Sequence, residues 1–203
     1  WNVATGALAP PGTYTVTLSR RVNGELTELA PAQTFEVVSI REPTLAGSSP
    51  EAASGFMREA HRLARAVDGS VKALDEMLVQ VEAAKLTLKR STAEPELHRR
   101  THAIETRARA IRERLAGWEL LDYMGERPLP SIRSRVGDAT SGNGESAYGP
   151  TATQKMSLEI ATSEFAEASG DLTRLEGDFR QLQSDLDAAG VPWTPGRGAT
   201  LTN

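Results

Sequence analysis

The sequence predicts a mainly helical α+β protein: an antiparallel three-helix bundle of long helices behind a small N-terminal antiparallel β module. Three observations predict it. Residues 1–42 hold runs of β-branched and aromatic residues around an Asn-Gly dipeptide. Three later segments carry apolar positions spaced alternately four and three residues apart, the heptad rhythm of packed helices. The composition, 39% hydrophobic and 25% charged over 203 residues, suits a chain that buries a real core. The predicted organisation is a β module over 1–42, a linker over 43–49, a helical bundle over 50–190 with an irregular insertion at 120–150, and an extended tail over 191–203.

In the β module, Pro10-Pro11-Gly12 forms the launching turn, and Thr13 to Leu18 forms a strand with Tyr14, Val16 and Leu18 on one face. Asn23-Gly24 accepts positive φ and closes a tight hairpin. Glu25 to Leu29 is the expected return strand, with Leu26 and Leu29 turned inward, and Thr34 to Ile40 is the next strand. A complete sandwich usually needs about seven strands. The module is therefore expected to be part of an immunoglobulin- or fibronectin-like sandwich, the end of a larger β domain, or else a sheet covered by the helices. Completion of its open edge by another part of the same protein is the preferred reading over strand addition to a different chain. The chain opens at Trp1 with neither methionine nor signal-peptide pattern, so a cut precursor or a piece of a longer chain is expected.

Ser49-Pro50-Glu51 reads as an N-cap, a first-turn proline and an acidic first turn. The first seam runs Phe56, Ala60, Leu63, Val67, Ser70, Leu74, Met77, Val81, Ala84, Leu88, and ends before Pro95. The second runs Leu97, Thr101, Ile104, Ala108, Ile111, Leu115, Trp118 after a connection short enough to make the two helices antiparallel neighbours. Within the insertion, Ser131 to Val136 is expected to form a turn or two of helix, and Ser141 to Ser146 a loop. Thr151 and Gln154 form a capping box for the last helix. Its seam runs Leu158, Ala161, Phe165, Ala168, Leu172, Leu175, Phe179, Leu182, Leu186, Ala189, with Gly190 as the cap.

Charge predicts how the helices pair. Leu97 to Gly117 holds six arginines against two glutamates, whereas Leu158 to Ala189 holds eight acids against two arginines. Opposed faces of this kind select one arrangement. The arginines, Arg109 and Arg112 among them, would also suit phosphate or acidic glycans, but pairing with the acidic helix is the preferred reading. The overall charge of -4 argues against nucleic acid as a partner. No apolar run reaches the roughly 18 residues of a membrane-crossing helix, so no transmembrane segment is expected.

Catalytic signals are weak. Cysteine is absent, which excludes disulfides and thiolate chemistry. His98 and His102 lie one turn apart, a spacing compatible with zinc, but Arg99 stands where a zinc protease carries glutamate. Solvated histidines are the preferred reading. Glu105 and Glu113 are spaced as ordinary helix-surface charges, and a narrow bundle offers paired carboxylates no cleft. Phosphate-loop, dinucleotide and G-x-S-x-G patterns are missing, and Gly142 and Gly144 sit in a polar loop. No catalytic residue, cofactor or metal is expected.

Pro11-Gly12-Thr13-Tyr14-Thr15-Val16 with Phe35-Glu36-Val37-Val38, then Pro130 to Gly137, and Ala188 to Arg197 at the end, together resemble the C-terminal region of bacterial secreted proteins with BNR-repeat, sortilin-like β-propellers, often labelled glycosyl hydrolases. The propeller's S-x-D-x-G-x-T-W repeats do not occur here, so the resemblance transfers no catalytic residue. It implies an exported, extracytoplasmic accessory region downstream of a propeller in the same chain, or one held by other protein subunits. The expected function is a non-catalytic structural or interaction module. The alternatives are a processed accessory subunit of a larger extracytoplasmic assembly and, less favoured, part of a glycoside hydrolase. Trp193 is expected to pack on the bundle end or to serve as a binding anchor, with Arg197 beside it. No oligomeric state follows from the sequence.

Overall fold

The computed structural model describes residues 8–40, 46–118, 129–141, 148–191 and 194. They form a two-stranded antiparallel sheet, β1 (Gly12–Val22) and β2 (Glu25–Val37), followed by helices α1 (Pro50–Leu88), α2 (Pro95–Ala116), α3 (Ile132–Thr140) and α4 (Ala152–Ala188).

The hairpin closes at Asn23 and Gly24, both at positive φ (50° and 88°), the conformation for which this dipeptide is suited. Beyond the turn the structure corrects the expectation. The segments 25–29 and 34–40 are not two strands; a single β2 runs through Ala30 to Gln33, and pairing ends at Val37. Two irregularities make this possible. Val16 faces Gln33, Leu18 faces Ala30 and Ser19 faces Glu28, so β2 twice gains one residue on β1. Pro31, which reads as a strand breaker, sits in the first of these bulges, where no ladder N–H is demanded of it. The two shifts cancel in the alternation of β2, so Leu26 lies opposite Arg21 on the polar side and is exposed, as Leu29 is, contrary to the inward packing expected for both. Neither strand packs against any of the described helices, so these do not cover the sheet.

The helical part forms where the seams predict. In α1 the Ser49 Oγ accepts the Ala52 N–H at 3.2 Å, and Pro50 fills the first turn. In α4 the box is reciprocal: the Gln154 N–H donates to Thr151 Oγ1 (3.2 Å) and the Thr151 N–H donates to Gln154 Oε1 (2.8 Å). Three seam positions, Ser70, Trp118 and Ala189, differ. Val71 is buried where Ser70 was expected, because a strict heptad drifts about 20° per repeat on a straight helix and the apolar neighbour takes the core place. Trp118 lies outside α2 and is 53% exposed, because Gly117 adopts φ 81° and ends the helix. At the far end of α4, Ala189 is exposed and Gly190 takes φ 67°, while the Val191 N–H reaches Leu186 O at 3.0 Å.

Ion pairs define the helix directions. Arg112 pairs with Asp75 (2.5 Å) and Glu105 with Lys85 (2.8 Å), so α2 runs antiparallel to α1. Arg100 pairs with Asp185, Arg107 with Asp178 and Arg114 with Asp171, so α2 also runs antiparallel to α4. The short α3 sits further along both long helices: Arg133 reaches Asp68 of α1 (2.8 Å) and Arg135 reaches Glu164 of α4 (3.1 Å). The described helices thus number four, with α2 and α3 on successive stretches of the α1–α4 pair. Leu74, Val81 and Leu88 of α1, Leu115 of α2, Ile132 of α3, and Leu175, Leu182 and Leu186 of α4 are almost wholly buried along one continuous core. Each such side chain contributes on the order of 1.5–3 kcal/mol of burial.

The N-terminal ends of α1 and α4 are held together. The Ser48 N–H donates to Tyr148 O at 3.0 Å, and Gly149 at φ 79° brings the chain so close that a Cβ there would meet the Ser48 Cβ at 2.7 Å.

Candidate interaction surfaces

The hairpin presents the most unusual surface. Alternation along β1 places Tyr14, Val16 and Leu18 on one side and Thr13, Thr15, Thr17 and Ser19 on the other. Tyr14 stacks on Phe35 with ring centroids 5.9 Å apart and 26° between the planes, and its hydroxyl donates to Pro10 O at 2.7 Å. The apolar side nevertheless stays open: Val16, Leu18 and Phe35 are 53%, 61% and 51% exposed. The strand is thus amphipathic like one side of a sandwich, but among the described residues it meets no second layer.

The arginines of α2 are occupied within the chain. Arg100, Arg107 and Arg114 recur every seven residues and meet Asp185, Asp178 and Asp171, also seven apart, at 2.5, 2.5 and 2.6 Å. This is the pairing that the charge pattern predicts. Arg112 turns to Asp75 of α1, Arg109 to Glu105 on its own helix (2.9 Å), and Arg99 to Glu96. Pairs this exposed contribute little each, so the ladder sets register more than stability. Its effect on titration is clear: Arg114 and then Arg174 hold Asp171 below the ordinary carboxylate range, and Arg100 and then Gln181 do the same for Asp185.

Glu105 is the residue that sequence reading misses. It is 8% exposed rather than a surface charge, because it follows core position Ile104 and turns toward α1. There the Lys85 ammonium donates to Oε2 at 2.8 Å, and the Arg109 guanidinium donates to Oε1 at 2.9 Å. These donors, Lys85 first, lower its pKa to about 2, and Glu105 with Glu82 raises that of Lys85. His102 Nδ1 stands 3.7 Å from the same carboxylate, with its ring largely in solvent. A carboxylate held this firmly as an anion is a clasp between helices, not a proton donor at neutral pH. Glu113 is exposed further along α2, and His98 is exposed in its first turn. Among the described residues no three His, Cys, Asp or Glu side chains converge as a metal site would require. None of the described helices is long and apolar enough to cross a membrane.

Trp193, Arg197, Gly142 and Gly144 lie outside the described residues. Comparison with protein-family models, with curated proteins and with solved structures finds no match.

Proposed function

We propose that this chain is a non-catalytic structural and interaction module of an exported protein, with the helices as a scaffold and the hairpin as the joining element. The observation that carries the reading is the contrast between the two surfaces. The charges that line α2 are answered by carboxylates of the same chain, while the apolar face of the hairpin is left open. The heptad seams and the Arg–Asp ladder support an antiparallel bundle in which α2 and α3 share one of three positions. The alternating hairpin supports one corner of an immunoglobulin- or fibronectin-like sandwich. The resemblance of the strand, Pro130–Gly137 and C-terminal segments extends the reading to the end of a secreted protein bearing a sortilin-like propeller.

The test is the intact mass and N-terminal sequence of the protein from its source, with a glycosidase assay of the 203-residue chain. The proposal expects a propeller upstream of Trp1 and no glycoside turnover by the chain itself. A mature chain that begins at Trp1 and copurifies with other subunits at fixed stoichiometry replaces it with the accessory-subunit reading. Turnover by the chain alone sinks both.

A further inference from the structure

We infer that the hairpin docks onto a second β-sheet carried on the same polypeptide, which adds a strand along the free edge of β1 and covers the face made by Tyr14, Val16, Leu18 and Phe35. The inference rests on the interaction-module reading and narrows it to one surface, one edge and one occupant.

The face itself asks for a sheet. From Thr13 to Ser19 one side of β1 is aromatic and aliphatic and the other is a Thr/Ser row, before Arg20 and Arg21 end the pattern; this is the alternation of a strand with one side against a core and the other in water. A lone two-stranded ribbon is marginal at best in water, and at least three strands or a packed face are needed for independent stability. The helices supply neither.

The two edges are not equivalent. β2 carries Pro31 and both register shifts, so its outer edge offers an interrupted row of donors. β1 has no proline from Gly12 to Val22, and in its first half it alternates threonine with larger apolar side chains. A strand can therefore be added along β1, while β2 is built as the terminal strand.

The size of the face selects a tethered partner. At about 3.3 Å per residue and 4.8 Å between strands, a two-stranded ribbon of 11 residues offers a face of roughly 350 Å². Two copies laid face to face would bury about 700 Å² in total, short of the roughly 1,200 Å² of a stable interface between separate chains. A covalent link replaces the bimolecular cost by an effective concentration on the order of millimolar, and a footprint of this size then suffices.

The experiment places the photoreactive residue p-benzoylphenylalanine at Val16 on the apolar face, or at Thr15 on the polar face, in the natural full-length protein, and maps the cross-links by mass spectrometry. Position 16 is expected to cross-link within the same polypeptide to residues outside this chain, at alternate positions of one segment, and position 15 is not. Cross-links to a second copy, to another polypeptide or to α1–α4, no cross-link, or a natural polypeptide without further β-strands would each overturn the inference. A companion variant, Val16→Asp, is expected to lower the melting temperature of the full-length protein by several degrees and to leave helical melting of the 203-residue chain unchanged. An equal shift in both overturns the inference as well. Failed docking with a catalytically silent chain removes this inference alone, whereas glycoside turnover by the chain removes the module reading whatever the cross-links show.

Discussion

The two ends of this molecule solve the same problem differently. The helices and the hairpin both carry apolar residues at the spacing that their secondary structure requires. In the helices those residues face one another: the seams of α1, α2, α3 and α4 close on a common core. In the hairpin the apolar side faces outward, and among the described residues the Tyr14–Phe35 stack, the Tyr14 hydroxyl bond to Pro10 and the backbone ladder hold it. Amphipathic patterning creates a demand for burial, and whether the chain itself meets that demand separates a self-sufficient unit from one built to be completed.

The largest expected effect breaks the comparison on the helical side. Leu182 is fully buried between the helices, and Leu182→Ala is expected to cost about 2–5 kcal/mol in chemical denaturation followed by far-ultraviolet circular dichroism. The same truncation at Leu18, on the open face, is expected to change helical stability by less than about 0.5 kcal/mol. A comparable loss at both positions would show that the hairpin belongs to the helical core.

A smaller effect sharpens the role of Glu105. Its pKa is lowered in the folded chain, so the stability it contributes is present above its ordinary value of 4.5 and is lost as pH falls toward about 2. Denaturation midpoints should decline through that window, and Glu105→Gln should flatten the decline while removing about 1–2 kcal/mol at neutral pH. An unchanged acid profile in the variant would assign the decline to other carboxylates, Asp171 and Asp185 first.

Smaller again is the ladder between α2 and α4. Arg107→Asp puts two acids together where Asp178 now accepts from arginine, at an expected cost of about 1 kcal/mol, with partial recovery when Asp178→Arg is added. A double-mutant cycle measures the coupling, and zero coupling would mean that the pair does not set the register.

Much of the helical part was legible. The seams name the buried residues because a helix repeats its faces strictly, and the excess of arginine on one segment and acid on another anticipated the Arg100, Arg107 and Arg114 pairs. Local events were harder to read. Gly117 ends α2 before Trp118, since a single positive φ outweighs a continuing apolar period. Burial of Glu105 depends on Lys85 arriving from another helix, a contact 20 residues away in sequence. In the sheet, the sequence reading divides 25–29 from 34–40, and only the bulges show how one strand passes through the Pro31 segment between them. The openness of the apolar face had no sequence signal, because the same alternation describes a strand that its own chain covers.

The central claim is that the helices are complete and the hairpin is not. Hydrogen exchange of the 203-residue chain, read by mass spectrometry on peptides from β1, β2, α1 and α4, tests it most directly. The expected result is slow exchange along the buried seams of α1 and α4, with exchange in β1 and β2 faster by orders of magnitude despite their formed ladder. Protection of β1 and β2 equal to that of the helices would contradict the claim, since the hairpin would then need nothing further to be stable.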